Sequence, residues 1–186
     1  MDPLVCESLD WRHGVYLAAT MASETTAAAS GDVGMLRRDP MAMRPFCGYD
    51  AGDYLSHWLE IGKRMKDPPR IFRVNWFRKD AAGNYLWPGF GENLRVLRWV
   101  LDRCEGRSEA RESPIGFLPS TGALDLDGLK LSGSSLEELS RVSRDEWAEE
   151  LRGQEDLLRS LGDRVPVEMW DELRATRERF GFSPAR

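Results

Sequence analysis

N-W-F-R-K-D-A-A-G-N-Y-L-W-P-G-F-G-E-N, running from Asn75 to Asn93, is the stretch on which the reading of this chain turns. It holds five aromatic residues (Trp76, Phe77, Tyr85, Trp87 and Phe90), a turn signal at Gly83-Asn84, and a rigid P-G-F-G segment that runs into a helical pattern. Phe77 leaves one β-rich run and Tyr85 enters the next, so the pair reads as the two sides of a β-hairpin with a Gly-containing loop. Pro88 stops the pairing and Phe90 follows it. Three rings brought together this way form a flat aromatic slot, and a purine base suits such a slot. Stacking one base on an aromatic side chain is worth roughly 1–3 kcal/mol. Gly89 and Gly91 let backbone amides approach a ligand closely. Asn93 offers a donor and an acceptor on a short side chain, which suits the edge of guanine. For any one of these rings, filling a core is the ordinary reading; the cluster with its glycines is what raises the alternative.

Outward from this stretch the chain is mixed. Arg70–Phe77 reads as a strand and Tyr85–Trp87 as a short second one. Upstream, Gly14–Ala22 is an apolar run that suits a buried strand, although its alanines leave a helix open. Ser23–Gly34 is a run of small residues that can cover a site and move, or be a plain surface loop. Ala51–Met65 has one apolar face at helical spacing and ends at Asp67-Pro68-Pro69. Downstream, the helix opened by Gly91-Glu92-Asn93 is expected to run to about Cys104, burying Leu94, Leu97, Leu101 and Cys104 and turning Arg95, Arg98 and Asp102 to water. Ser113–Phe117 is a short extended piece. After Ser135 the pattern is helical, with a capping box at Ser143 and Glu146, a helix end at Gly162, and a last helix from Pro166 to Gly181. The expected architecture is α/β over residues 1–130, containing the loop 23–34 and the hairpin 75–93, followed by a helical subdomain over 131–186.

The totals exclude several functions. The chain has 186 residues, 41% of them hydrophobic and 31% charged, which fits one folded domain. A net charge of -5 leaves no broad basic field for nucleic acid. No apolar run reaches membrane-spanning length. The three cysteines, Cys6, Cys47 and Cys104, have no CxxC or zinc spacing and read as free thiols of a reducing, cytoplasmic compartment. With two histidines, a site of three histidine ligands is excluded. No G-x-x-x-x-G-K-[ST] phosphate loop occurs, so the slot can choose a nucleotide but not transfer its phosphate.

The longer motifs are familiar as a set. W-R-H-G-V at 11–15, S-E-T-T-A-A-A at 23–29, R-R-D-P-M-A-M-R-P-F-C-G-Y at 37–49, V-N-W-F-R-K-D at 74–80, L-W-P-G-F-G-E-N at 86–93 and S-P-I-G-F at 113–117 closely resemble the C-terminal part of GTP-dependent phosphoenolpyruvate carboxykinase. The resemblance covers nearly the whole chain. It implies an enzyme of gluconeogenesis that converts oxaloacetate and GTP to phosphoenolpyruvate, CO2 and GDP, with Mn2+ and Mg2+. It assigns Phe77, Tyr85 and Phe90 to the faces of guanine and Asn93 to its edge, with Gly91 and Glu92 in the same nucleotide-binding segment. It makes Ser23, Glu24, Thr25, Thr26, Ala27, Ala28, Ala29, Ser30 and Gly31 part of a mobile lid that shields the enolate intermediate. Tyr85 stands where the family commonly has Phe, and Gly31 where some relatives carry a lid histidine. The phosphate loop, the metal ligands and the arginines that grip substrate are expected upstream of this chain. It is therefore expected to hold no catalytic or metal-ligating residue, to meet oxaloacetate or phosphoenolpyruvate only alongside the upstream part, and to be inactive alone. A stand-alone guanine-nucleotide-binding module is the alternative.

Overall fold

The computed structural model describes residues 2–24 and 36–182. They form two compact units, each assembled from two stretches of chain: residues 1–9 with 70–148, and residues 10–69 with 149–186. Helices and strands share the fold, as the α/β expectation has it, and the strands pair antiparallel. The boundary at 130/131 expected from sequence texture is a different division: residues 131–148 belong to the first compact unit and 149–186 to the second.

The first unit is organised on β1 (Val5–Glu7), whose three residues are all buried. One side of β1 pairs with β4 (Phe72–Val74), in register Val5↔Val74 and Glu7↔Phe72. The other side meets β6 (Gly116–Pro119), which forms a hairpin with β5 (Ala110–Ser113). The sheet order is β4-β1-β6-β5. Gly116 is required here. Its φ is 126°, and a Cβ on it would lie 2.3 Å from the Glu7 carbonyl oxygen, so only glycine lets β1 come this close. The central strand carries a buried carboxylate, Glu7, which accepts from Arg70 at 2.5 Å and Arg103 at 2.6 Å; two guanidiniums offset the loss of its hydration. Leu4, Val5, Leu86, Trp87, Val96, Trp99 and Leu139 form the core. Val96 and Trp99 come from α3 (Asn93–Cys104), and Leu139 from α4 (Gly133–Ser140).

α3 ends as expected but presents the opposite face. Leu94, Leu97 and Leu101, expected inside, are exposed, as is Cys104, whereas Val96 and Trp99 are buried. The helix has two apolar stripes. The one carrying Val96 and Trp99 goes in, where Leu4, Val5, Leu86 and Trp87 and the ring of Phe72 receive it. The expected strand Arg70–Phe77 is shorter, and the expected second strand Tyr85–Trp87 is reduced to a single bridge, Lys79↔Tyr85.

In the second unit, residues 14–19 of the run expected as a strand belong to α1 (Trp11–Ala19). Asp10 accepts from the His13 amide at 2.7 Å and starts the helix there. α1 lies with α2 (Ala51–Arg64), α6 (Val167–Arg179) and the later part of α5 (Arg144–Ser160). Gly62 of α2 receives the Trp11 indole, since a Cβ there would be 2.1 Å from its Cδ1. A two-stranded ribbon, β2 (Ala22–Glu24) with β3 (Leu36–Arg38), pairs Ser23 with Arg37. The Arg38 guanidinium holds the Glu150 carboxylate with two bonds of 2.7 and 2.8 Å, and Gly153, which would otherwise put a Cβ 2.5 Å from the Arg38 Nη2, leaves room for it. Among the described residues no helix is long and apolar enough to cross a membrane.

Candidate nucleotide-binding site

The stretch 75–93 is held at both ends by polar anchors. Asn75 donates from its side chain to the Asp2 carbonyl at 3.0 Å and accepts from the Phe77 amide at 3.1 Å. Arg78 is buried and donates to the carbonyls of Asp2 and Arg141 and to the Glu138 carboxylate. Glu138 is shared with Arg141, whose hydrogen bond, more than that of Arg78, draws the Glu138 carboxyl down to about 2. Past these anchors the chain reverses at Asp80–Asn84. The Asp80 carboxylate accepts from the amides of Ala82 and Asn84, both at 2.9 Å, and Gly83 takes a φ of 86°.

On this frame the rings separate by burial. Phe77 is 68% exposed, Tyr85 60% and Phe90 91%, while Trp87, two residues past Tyr85, is 2% exposed. Phe77 and Tyr85 meet edge to face, with centroids 6.2 Å apart at 65°. The Lys79 ammonium sits 5.3 Å from the Tyr85 centroid. Phe90 makes no ring contact with either among the described residues. The expected convergence of three rings is therefore a touching pair and a third ring standing apart. Stability does not explain rings this exposed, because folding gains by covering them.

Phe90 owes its position to Gly89, which adopts φ 117° and ψ -166°, a conformation reserved for glycine, and starts a 3-10 turn over Phe90–Glu92. Gly91 is open: a Cβ there would meet nothing within 4 Å. The Glu92 carboxylate is taken by Arg95 at 2.6 Å, and Arg95 also donates to the carbonyls of Asp125 and Asp127. Glu92 thus holds a loop in place, a role its spacing did not signal. Asn93 opens α3, and its Oδ1 accepts from the Trp87 indole N–H at 2.8 Å. Trp87, Asn75 and Arg78 are the site-building residues that sequence reasoning missed. Their partners lie across the fold, and no local pattern announces them.

Of the expected lid, the Ser23 and Glu24 backbones lie on β2; Thr25, Thr26, Ala27, Ala28, Ala29, Ser30 and Gly31 lie outside the described residues. Among the described residues no group of three or more His, Cys, Asp or Glu is placed to hold a metal ion. Cys6 is buried, and burial pushes its thiol up to about 12.

Comparison with known proteins bears on this arrangement. Residues 1–179 match the family model described as phosphoenolpyruvate carboxykinase C-terminal P-loop domain. The chain is 53% identical over 165 residues to "Phosphoenolpyruvate carboxykinase [GTP]" of Anaeromyxobacter dehalogenans, covering 89% of this chain and 28% of the relative. It is 50% identical over 181 residues to the protein of that name from Renibacterium salmoninarum, covering 96% and 30%. The protein of that name from Thermoplasma volcanium is 48% identical over 180 residues, covering 97% and 30%. The chain thus spans less than a third of the length of these relatives.

Proposed function

The chain belongs to the GTP-dependent phosphoenolpyruvate carboxykinase family, and from that premise we propose that it supplies the guanine pocket and the lid of a carboxykinase acting on oxaloacetate and GTP. The observation that carries the reading is the exposure of Phe77, Tyr85 and Phe90 beside a buried tryptophan that fixes Asn93. Exposed rings on a pinned loop are poor for stability and good for stacking a base.

The chain's own residues then have these roles. Phe77, Tyr85 and Phe90 stack on the faces of guanine, and Asn93 meets its edge. Gly91 leaves the backbone accessible to the base. Ser23 to Gly31 would serve as the lid, and the ion pair of Arg38 with Glu150 holds β3, the strand paired with β2 on which Ser23 lies. Mn2+ and Mg2+ would supply phosphate binding and charge neutralisation in the complete enzyme. Among the described residues of this chain no group of three or more His, Cys, Asp or Glu is placed to hold these ions. Cytoplasmic placement and a part in gluconeogenesis follow from the same reading.

The test uses the seven tryptophans. GTP is expected to quench their fluorescence at lower concentration than ATP. The 186-residue chain supplied with oxaloacetate, GTP and Mn2+ is expected to show no turnover. Equal quenching by the two nucleotides sinks the guanine pocket, and turnover above background sinks the division of labour.

A further inference from the structure

We propose that Trp87 is a positioning residue that sets the purine preference of this pocket by fixing which way the Asn93 amide faces. The proposal rests on the nucleotide reading above and adds to it the device that separates a 6-oxopurine from a 6-aminopurine.

An asparagine amide has two nearly equal ends, one accepting and one donating, and can present either to a ligand. Here the choice is made by chemistry rather than by shape. The Trp87 indole N–H lies 2.8 Å from the amide, and an indole nitrogen only donates. The end facing it must be the carbonyl oxygen, so the Nδ2 end turns the other way. Asn93 is half-buried, at the first position of α3, and among the described residues its Nδ2 donates to nothing. Both members of the pair are held in place. Trp87 is 2% exposed and packs against Trp76 with centroids 6.4 Å apart. The Asn93 backbone N–H is fixed to the Phe90 carbonyl.

A donor fixed one helical turn past the exposed Phe90, to whose carbonyl the Asn93 backbone is bonded, matches the O6 acceptor of guanine or hypoxanthine and opposes the amino group at C6 of adenine. Reversing the amide would leave the indole N–H buried without an acceptor, which is costly. The pocket therefore pays at the core for any attempt to accommodate adenine, and the preference is set by a residue that touches no ligand.

The experiment is calorimetric titration of the 186-residue chain with GTP, ITP and ATP. Wild type is expected to bind GTP and ITP more tightly than ATP, by on the order of 10-fold to 100-fold; ITP keeps O6 and lacks the 2-amino group, so it isolates recognition at C6. Trp87→Phe keeps a buried ring and removes the N–H. Its GTP/ATP ratio is expected to fall about 10-fold, mainly through tighter ATP binding as the amide becomes free to turn. A ring with a purely structural role would weaken both nucleotides together and leave the ratio unchanged. Should Trp87→Phe not fold, Asn93→Asp decides: it still accepts from the indole, presents an oxygen to the ligand, and is expected to favour ATP. A wild-type preference for GTP that survives the folded variants overturns the proposal alone. A wild type that binds no nucleotide, or binds GTP and ATP equally, overturns the pocket reading and this proposal with it.

Discussion

Phe77, Tyr85 and Phe90 stand in water, whereas Trp87 and Trp99 are sealed in the core of the same unit, with Trp76 packed against it. The two sets are interleaved along one short reach of chain, and of neighbours such as Tyr85 and Trp87 one is exposed and the other is in the core. The inner rings contribute apolar burial and fix the backbone. The outer rings contribute nothing comparable to stability, and their exposure persists only because the inner set and the polar anchors hold the loop. On the proposed reading, stability and binding are thus divided between residues of the same chemical type. This division can be broken by substitution.

The largest effect is expected inside. Trp99→Ala removes a ring that is 1% exposed and meets Phe72 edge to face at 5.9 Å. It should cost about 3–5 kcal/mol of unfolding free energy, measured by guanidinium titration. A loss below about 1 kcal/mol would mean the inner set does not carry the fold.

A buried ring of another kind lies in the second unit. His13 is 1% exposed, and burial, more than the nearby Arg179, lowers its pKa to about 4. In the unfolded chain a histidine titrates near 6.5. Between those values the unfolded state binds a proton that the folded state refuses, so stability is full above pH 6.5 and falls as pH drops toward 4. The loss should reach up to about 3 kcal/mol, and His13→Gln should flatten the profile over that window. The carboxyl of Glu138, held near 2 by Arg141, acts in a separate window, from about pH 4.5 downward. An unchanged slope in His13→Gln would refute the assignment.

Outside, the order of effects reverses. Phe90→Ala should leave unfolding free energy within about 0.5 kcal/mol, because the ring is 91% exposed. It should weaken GTP binding by about 1–3 kcal/mol. Lost stability with intact binding would exchange the roles of the two sets.

This division was only half legible in the sequence. The turn at Gly83-Asn84 and the starts of α2 and α3 follow from local chemistry, since caps, prolines and glycines act on adjacent residues. What faces inward on α3 did not follow: Leu94-Leu97-Leu101 and Val96-Trp99 are both helical stripes, and only the rest of the core decides between them. α1 was obscured because a helix buried on nearly every side loses its period and looks like a strand; Asp10 was the signal. The exposed rings proposed to meet the base stand out in the sequence because the turn at Gly83-Asn84 and the P-G-F-G frame are local. Trp87 could not be assigned its role, since its partner is known only once Pro88 has turned the chain back onto α3.

Gly89 and Gly91 flank Phe90 and should respond differently. Gly89→Ala forces a Cβ onto a φ of 117° and should cost about 1–3 kcal/mol, with weaker GTP binding as Phe90 is displaced. Gly91→Ala meets open space in the free protein and should not alter stability. Any loss of affinity it causes measures how closely the ligand approaches the backbone. Equal destabilisation by both would show that the turn is not held by the conformation of Gly89.

The smallest effect is expected at Tyr85→Phe. The hydroxyl is the only group removed, and the ring keeps both its edge contact with Phe77 and the Lys79 ammonium 5.3 Å from its centroid. A cation over an exposed ring is worth about 0.5–1 kcal/mol, and Phe retains most of it. If the outer rings act by stacking alone, GTP affinity should change by less than about twofold, since that factor corresponds to well under 1 kcal/mol. A tenfold loss would show the hydroxyl donating to the ligand, and Tyr85 would then act as a polar reader as well as a stacking surface.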